Sequence, residues 1–390
     1  MMLQVVRLKF VEFQKFQWKG KIMGDYPPQY YSPRARKYYR KRPSVAGGGG
    51  AGGAVGGWKE LGRTTLGSAG DNINISSLAT KRYNMFLVNT FDTGATEQTI
   101  RLGNGSLDTG TNYAGRGSFN GTADGTQTSD TYMRTALTGI IDQDFCVGYL
   151  TNYATKEKLL ISHWVSEGDA EGSATPPHRG QKVGKWSNTS NAFDNIGVFN
   201  RTSGNFDTGS EIVVLGYDPA DTHTDNFWEE LADVSWTSGK NISTGTFTPK
   251  TYLWLQGWIT KTGTTSGSVY LRTGNSSVDT GSNYAHRYSI NGVSDGTQTS
   301  NSYGWFLDQG SSGGTKQWFF NAFFINNASN EKLGIIHENW VNNKGSAYAS
   351  GRTEHAVKWA NTSNQINIFD VNGLSISDFT GGQIKVWGAD

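Results

Sequence analysis

Four polar residues recur at one spacing in two distant parts of the chain. Asp108, Asn112, Arg116 and Asp124 lie within "DTGTNYAGRGSFNGTADGTQTS", and Asp279, Asn283, Arg287 and Asp295 hold the same places in "DTGSNYAHRYSINGVSDGTQTS". Carboxylate and amide oxygens set this way could hold Ca²⁺, or hydrogen-bond a sugar laid against Tyr113 or Tyr284. The spacing matches no EF-hand loop. The competing reading is architectural: Asp and Asn close turns, Gly supplies positive φ, Tyr enters the core and Arg pairs with a carboxylate. We expect all eight residues to be structural, with no metal site.

Other candidate chemistry is sparse. His163 and His337 occupy matched places after two "EKL" segments, yet no Ser or Cys nucleophile motif accompanies them. Cys146, the one cysteine, sits in the alternating run "DFCVGYL" and reads as a buried small hydrophobe; a single thiol also excludes an intramolecular disulfide. Glu229 and Glu230 flank a repeated Trp and are expected to face solvent. A glycosidase needs two carboxylates that need not be neighbours in sequence, and nothing in the chain selects such a pair. The sequence has no metal-ligand spacing, P-loop or dinucleotide fingerprint. The expectation is a protein that is not an enzyme and takes no cofactor. Nine N-x-S/T sequons, Asn74 to Asn361, follow from the abundance of Asn, Ser and Thr.

The elements that carry these residues must be strands. The 390 residues include 51 Gly and only 8 Pro, a mixture suited to short strands and frequent turns rather than long helices. Apolar residues alternate at Tyr83, Met85 and Leu87 and again at Phe145, Val147 and Tyr149, the period of a strand with one face on a core and one toward solvent. Asn104-Gly105, Asn120-Gly121, Asp124-Gly125, Asn291-Gly292 and Asp295-Gly296 supply turn signals where positive φ is cheap.

Self-similarity sets the organisation. "WKEL" at Trp58 returns as "WEEL" at Trp228, "KWSNTSN" at Lys185 as "KWANTSN" at Lys358, and "TGSEIVVLGYD" as "TGGQIKVWGAD", always in the same order at nearly constant spacing. A duplicated structural unit follows. The predicted fold is all-β: two tandem antiparallel β-sandwiches of jelly-roll-like type, residues 58–218 and 226–390, joined through "DPADTHTD". They are preceded by a disordered segment, residues 1–57, made of a basic, Tyr-rich arm and the Gly-rich linker "AGGGGAGGAVGG". Residues 1–22 either form a basic amphipathic helix or precede a start at Met23. No stretch reaches the roughly 20 apolar residues of a membrane span.

Charge is divided unevenly. The first 43 residues hold eleven Lys and Arg against Glu12 and Asp25, a net +9, so the formal total of +2 leaves −7 for the rest. Arg34, Arg36, Lys37, Arg40, Lys41 and Arg42 can neutralise phosphates while Tyr38 and Tyr39 stack on unpaired bases, which predicts binding to single-stranded nucleic acid without sequence preference. "RKYYRKR" would equally serve nuclear import.

The arm "YYSPRARKYYRKRP" resembles those of circular single-stranded DNA virus coat proteins. The tandem body, with "TNYAGR", "SNYAHR" and the two "DGTQTS" segments, is similar to structural proteins of marine viruses. Those resemblances imply a capsid protein of the virion. Its subunits would self-assemble as a homo-oligomer into an icosahedral shell, inside the host nucleus or cytoplasm, with the arm on the genome. They depart from the single sandwich common among such coats. The alternative is a carbohydrate-binding or adhesion protein, or a virion fibre, that meets a host surface glycan through Trp58, Trp186, Trp228, Trp254, Trp258, Trp340 or Trp359.

Overall fold

The computed structural model describes residues 57–390 apart from 93–96, 136–141, 222–225, 262–266, 311–315, 342–348 and 375–378. The arm residues Arg34 to Arg42 lie outside the described residues, as does the Gly-rich linker up to Gly56.

Among the described residues each half of the body is a sandwich of an eight-stranded and a five-stranded antiparallel sheet. In the first, the large sheet runs β1 (Lys59–Thr65), β13 (Glu211–Tyr217), β3 (Tyr83–Asp92), β9 (Asp142–Thr151), β10 (Lys158–Ser166), β11 (His178–Trp186), β6 (Tyr113–Phe119) and β7 (Gly125–Asp130). The small sheet runs β2 (Asn72–Ile75), β12 (Asn195–Asn200), β4 (Gln98–Asn104) and β5 (Ser106–Leu107), with β8 (Met133–Arg134) also on β4.

The second sandwich repeats this order strand for strand. Its large sheet is β14 (Glu229–Trp236), β26 (Phe379–Ala389), β16 (Tyr252–Lys261), β22 (Lys316–Ile325), β23 (Lys332–Val341), β24 (Gly351–Trp359), β19 (Tyr284–Ile290) and β20 (Gly296–Asn301). Its small sheet is β15 (Asn241–Ser243), β25 (Ile368–Leu374), β17 (Gly267–Asn275) and β18 (Ser277–Val278), with β21 (Trp305–Gly310) on β17.

Each sandwich closes on its own apolar cluster. Phe86, Val88, Ile100, Trp164, Trp186 and Val214 belong to the first, and Leu255, Leu271, Trp305, Phe320, Trp359 and Val386 to the second. Turns follow the expected chemistry at Asn120-Gly121 and Asn291-Gly292, where both residues of each pair adopt positive φ. Asp124-Gly125 and Asp295-Gly296 differ: they lead directly into β7 and β20, and their glycines stay out of the left-handed region.

The expectation that the alternating strands turn one face to solvent is corrected by a third apolar cluster. Met85, Leu87, Phe145, Val147, Val165, Val213 and Leu215, on the outer face of the first large sheet, pack with Tyr252, Phe323, Ile325, Leu333, Ile335, Ala356 and Trp387 on the outer face of the second. The strands at the centre of each large sheet are therefore apolar on both faces, because each sheet packs on a small sheet one way and on the other sandwich the other way.

Polar contacts ring this contact. The Arg179 guanidinium donates to both oxygens of Asp295, at 2.6 and 3.2 Å, and to Glu354 Oε2 at 2.9 Å. The Asp295 side chain is 1% exposed. Lys358, buried completely, pairs with Glu331 at 3.2 Å and donates to the Glu167 and Ala170 carbonyls in the connection after β10. Tyr252 donates to Glu211 Oε1 at 2.7 Å.

Removing one partner from such a buried ion pair strands a charge, at a cost of about 3–5 kcal/mol. Arg179→Met should therefore destabilise the body by that amount in urea unfolding, whereas Arg352→Met, the equivalent change in the second copy, should cost under about 1 kcal/mol because Arg352 is exposed and meets only Glu354 within the described residues. Equal losses would remove the cross-sandwich clamp from the account.

Candidate functional site

The repeated polar motif is a hydrogen-bonded node built identically in both sandwiches. Asp108 accepts from Gly110 N–H (2.8 Å), Asn112 Nδ2 (2.8 Å) and the indole N–H of Trp186 (2.7 Å). Asp279 accepts from Gly281 (2.8 Å), Asn283 (2.9 Å) and Trp359 (2.7 Å) in the same way. Burial pushes each carboxyl up, but these donors outweigh it and hold both below the ordinary carboxylate range. Tyr113, buried beneath, accepts from Leu102 N–H and lies 2.9 Å from the Leu102 and Asp108 carbonyls; Tyr284 accepts from Thr273 N–H and lies 2.7 Å from the Thr273 carbonyl and 2.9 Å from that of Asp279. The node thus ties the turn before β6 or β19 to the core tryptophan of β11 or β24 and to the small sheet. Its carboxylate oxygens are filled by protein donors.

The arginine and second aspartate of the motif part ways between copies. Arg116 and Asp124 are exposed. Arg287 donates across the sandwich contact to the Pro177 carbonyl at 2.8 Å, and Asp295 receives Arg179. Neither arginine donates to a carboxylate of its own turn among the hydrogen bonds of the described residues.

The two matched histidines meet across the same contact. His163 and His337 stack edge to face with ring centroids 4.1 Å apart, near Arg179 and Arg352. His286 and His355 lie 5.9 Å apart inside the second sandwich. Burial, reinforced by neighbouring cations for His163, His337 and His355, depresses all four, with His286 and His337 brought to about 4. Cys146 is fully buried, and burial beside Asp144 pushes its thiol far up, which leaves it inert. Glu230 pairs with Lys385 at 3.2 Å while Glu229 stays exposed. No group of three or more His, Cys, Asp or Glu able to hold a metal occurs among the described residues.

Sequence reasoning missed Arg179, Glu354 and Lys182. The signal lay in the aligned strands "HRGQKVGKW" and "GRTEHAVKW", which share the Arg and the closing Lys-Trp but differ at Gln181/Glu354 and Lys182/His355.

No protein-family model and no curated protein matches the chain. Among solved structures, the mouse laminin alpha1 chain, domains LG4-5, aligns over 90% of this chain and 92% of its own at 11% identity, with a TM-score of 0.18. A structure from a study of the in-meso crystallization of membrane proteins aligns over 72% of this chain and 88% of its own at 9% identity, with a TM-score of 0.12.

Two outcomes follow. Asp108→Ala leaves the buried Trp186 indole N–H without an acceptor, and the loss should be about 1–3 kcal/mol in denaturant unfolding, matched by Asp279→Ala in the second copy. For pH, histidines whose folded pKa lies below the unfolded 6.5 give stability that is complete above about 6.5 and drains as pH falls toward 4, at about 1.4 kcal/mol per unit for each ring that stays neutral. The melting temperature should decline across that window, and less steeply in His337→Asn; identical slopes would show that His337 does not contribute.

Proposed function

We propose that the chain is a self-assembling coat protein of a virion, whose paired sandwiches tile a shell and whose basic arm holds the genome. The observation that carries this reading is an imbalance at the sandwich contact. Leu333, Ile335 and Ala356 of the second sandwich are buried there, while their repeat counterparts Leu159, Ile161 and Val183 remain 53%, 52% and 51% exposed. Conversely Phe145 of the first sandwich is buried and its counterpart Phe319 is 53% exposed beside Trp258. Each chain thus keeps one uncovered copy of both surfaces that it already uses to join its own halves. A second copy of the chain is the occupant with matching chemistry, and contacts made this way are of the head-to-tail kind that builds larger assemblies.

Packaging rests on composition. A net +9 over the first 43 residues, interleaved with Tyr, suits single-stranded phosphate backbones, while the −7 remainder keeps nucleic acid off the body. The carbohydrate-binding alternative has one feature in its favour, the half-exposed Trp258 next to Phe319, an aromatic platform that would suit a sugar face.

Full-length protein should form multi-subunit particles by light scattering and negative-stain microscopy. Ile161→Glu or Phe319→Glu should release monomers that melt within a few degrees of the parent. Single-stranded oligonucleotide binding should fall with salt at a log–log slope near −6, at about 0.7 per phosphate, and vanish when residues 1–57 are removed. Monomers at every concentration and salt would overturn the coat reading; glycan binding lost in Trp258→Ala would favour the alternative.

A further inference from the structure

The first sandwich holds a cavity of about 190 Å³ at the margin of its core, where β6, β7 and β11 of the large sheet approach β8 of the small one. It exists because three positions that face inward are glycine. Gly115 and Gly117 of β6 oppose Gly184 and Lys182 of β11 in the ladder. In the second sandwich the same four register positions are His286 and Tyr288 on β19 against Val357 and His355 on β24. Their rings pack on one another, with centroids 5.6 to 5.9 Å apart, and Tyr303 adds a further ring 6.0 Å from His286. Met133 opposite Ile100 likewise gives way to Trp305 opposite Leu271. A space of about 10 Å³ lies beside Trp305 and Val357. One fold therefore occurs twice in this chain, once with the margin filled by aromatic side chains and once with it open.

The open version is cationic. Lys182 lines the cavity and, among the described residues, its ammonium makes no hydrogen bond or ion pair. Burial, then the charge of Arg134, brings it down to about 8, with Glu97 opposing. Glu97 is fully buried and already held by Arg134 at 3.0 Å and by Arg201 at 2.5 Å, so that trio contributes one further net positive charge. Arg116 borders the cavity and is itself exposed. The nearest acid on β7, Asp130, is engaged by Gln127 and by the Thr131 N–H. A lysine drawn between two sheets without a counter-ion is costly to leave as it stands, and a bound anion would offset that cost.

We propose that this cavity binds a small organic carboxylate, its anionic end on Lys182 beside Arg134 and its body against Met133 and Phe119. A single uncommitted ammonium matches one negative charge. A phosphate dianion would call for a second, and both arginines nearby, Arg134 and Arg201, are taken by Glu97. The volume lies below the roughly 300–1,000 Å³ of drug-sized sites, which limits the ligand to about one sugar ring. The chemistry is shared by a free organic acid and by an acidic sugar at the end of a glycan. This inference is independent of shell assembly, since the cavity lies within one sandwich.

Calorimetric titration of the full-length chain with glucuronate, lactate, inorganic phosphate and glucose tests it. Saturable binding of glucuronate or lactate is expected, with glucose silent. Glucuronate the tighter by tenfold would mark an acidic sugar as the source, and lactate a free acid. Lys182→Met should weaken binding at least tenfold and Lys182→Arg less than about threefold, the arm being common to all three proteins. Should Lys182→Met not fold, the parent still decides: affinity should fall as pH rises through about 8, becoming about tenfold weaker at pH 9 than at pH 7. No saturable binding, affinity unchanged in a folded Lys182→Met, affinity flat between pH 7 and 9, or phosphate bound more tightly than either carboxylate would each overturn the assignment.

Discussion

A wide antiparallel sheet has two faces, and in this chain both faces of β3 and β13, and of the ends of β16 and β26 that meet them, are withdrawn from water. That constraint organises the molecule. The inner faces close each sandwich, and the outer faces can be apolar only because the two sandwiches cover one another. Strands β3 and β13, and their counterparts β16 and β26, stand at the junction of two apolar clusters each, so a substitution there is felt on both sides. The buried ion pairs of Arg179 and Lys358 do a different job. In isolation they would be poor sources of stability, because desolvating a guanidinium and two carboxylates costs about as much as their attraction returns. Their contribution is registry: a bidentate fork on Asp295 accepts one orientation of the two sheets and penalises others.

Duplication would be expected to yield a two-fold contact in which each residue and its counterpart play equal parts, and the His163–His337 pair sits where such an axis would pass. The rest of the contact breaks the symmetry. Val165 is buried while its counterpart Asn339 is exposed, and Ile335 is buried while Ile161 is half exposed. Arg179 crosses to the other sandwich, whereas Arg352 stays on its own strand. The two copies thus differ in what covers the residues that look outward from the large sheets, and agree in the Asp–Trp–Tyr node that holds each sandwich shut.

Much of this was legible in the sequence. The repeat is carried by residues that cannot vary without opening the sandwich: Trp186 and Trp359 need Asp108 and Asp279, and the "DTG…NY" spacing that unites them is conspicuous for that reason. The third cluster was obscured by reading Tyr83, Met85 and Leu87 as one alternating face. The intervening Phe86 and Val88 are equally apolar, and so is every residue of Ile212-Val213-Val214-Leu215; unbroken runs of that kind belong to strands covered on both sides. The partners of Arg179 were not legible at all. They lie more than a hundred residues away in the other copy, and only the packing of two twisted sheets brings them within reach.

Comparison of the two copies also separates what the fold requires from what it merely permits. Gly115 and Gly117 are not demands of a crowded ladder: β19 carries His286 and Tyr288 at those places with the same pairing to its neighbour, so the fold accepts large side chains there. Filling the margin with rings buries apolar area and is the stabilising choice by the usual accounting, at roughly 25 cal/mol per Å² removed from water. The first sandwich forgoes that gain and places an unpaired lysine in the space instead, so two destabilising features coincide at one position in one copy only. Within a single chain the filled copy serves as the internal reference for the open one, and the difference between them is a concavity with a charge in it. That is the arrangement by which a scaffold becomes a receptor without changing its strands.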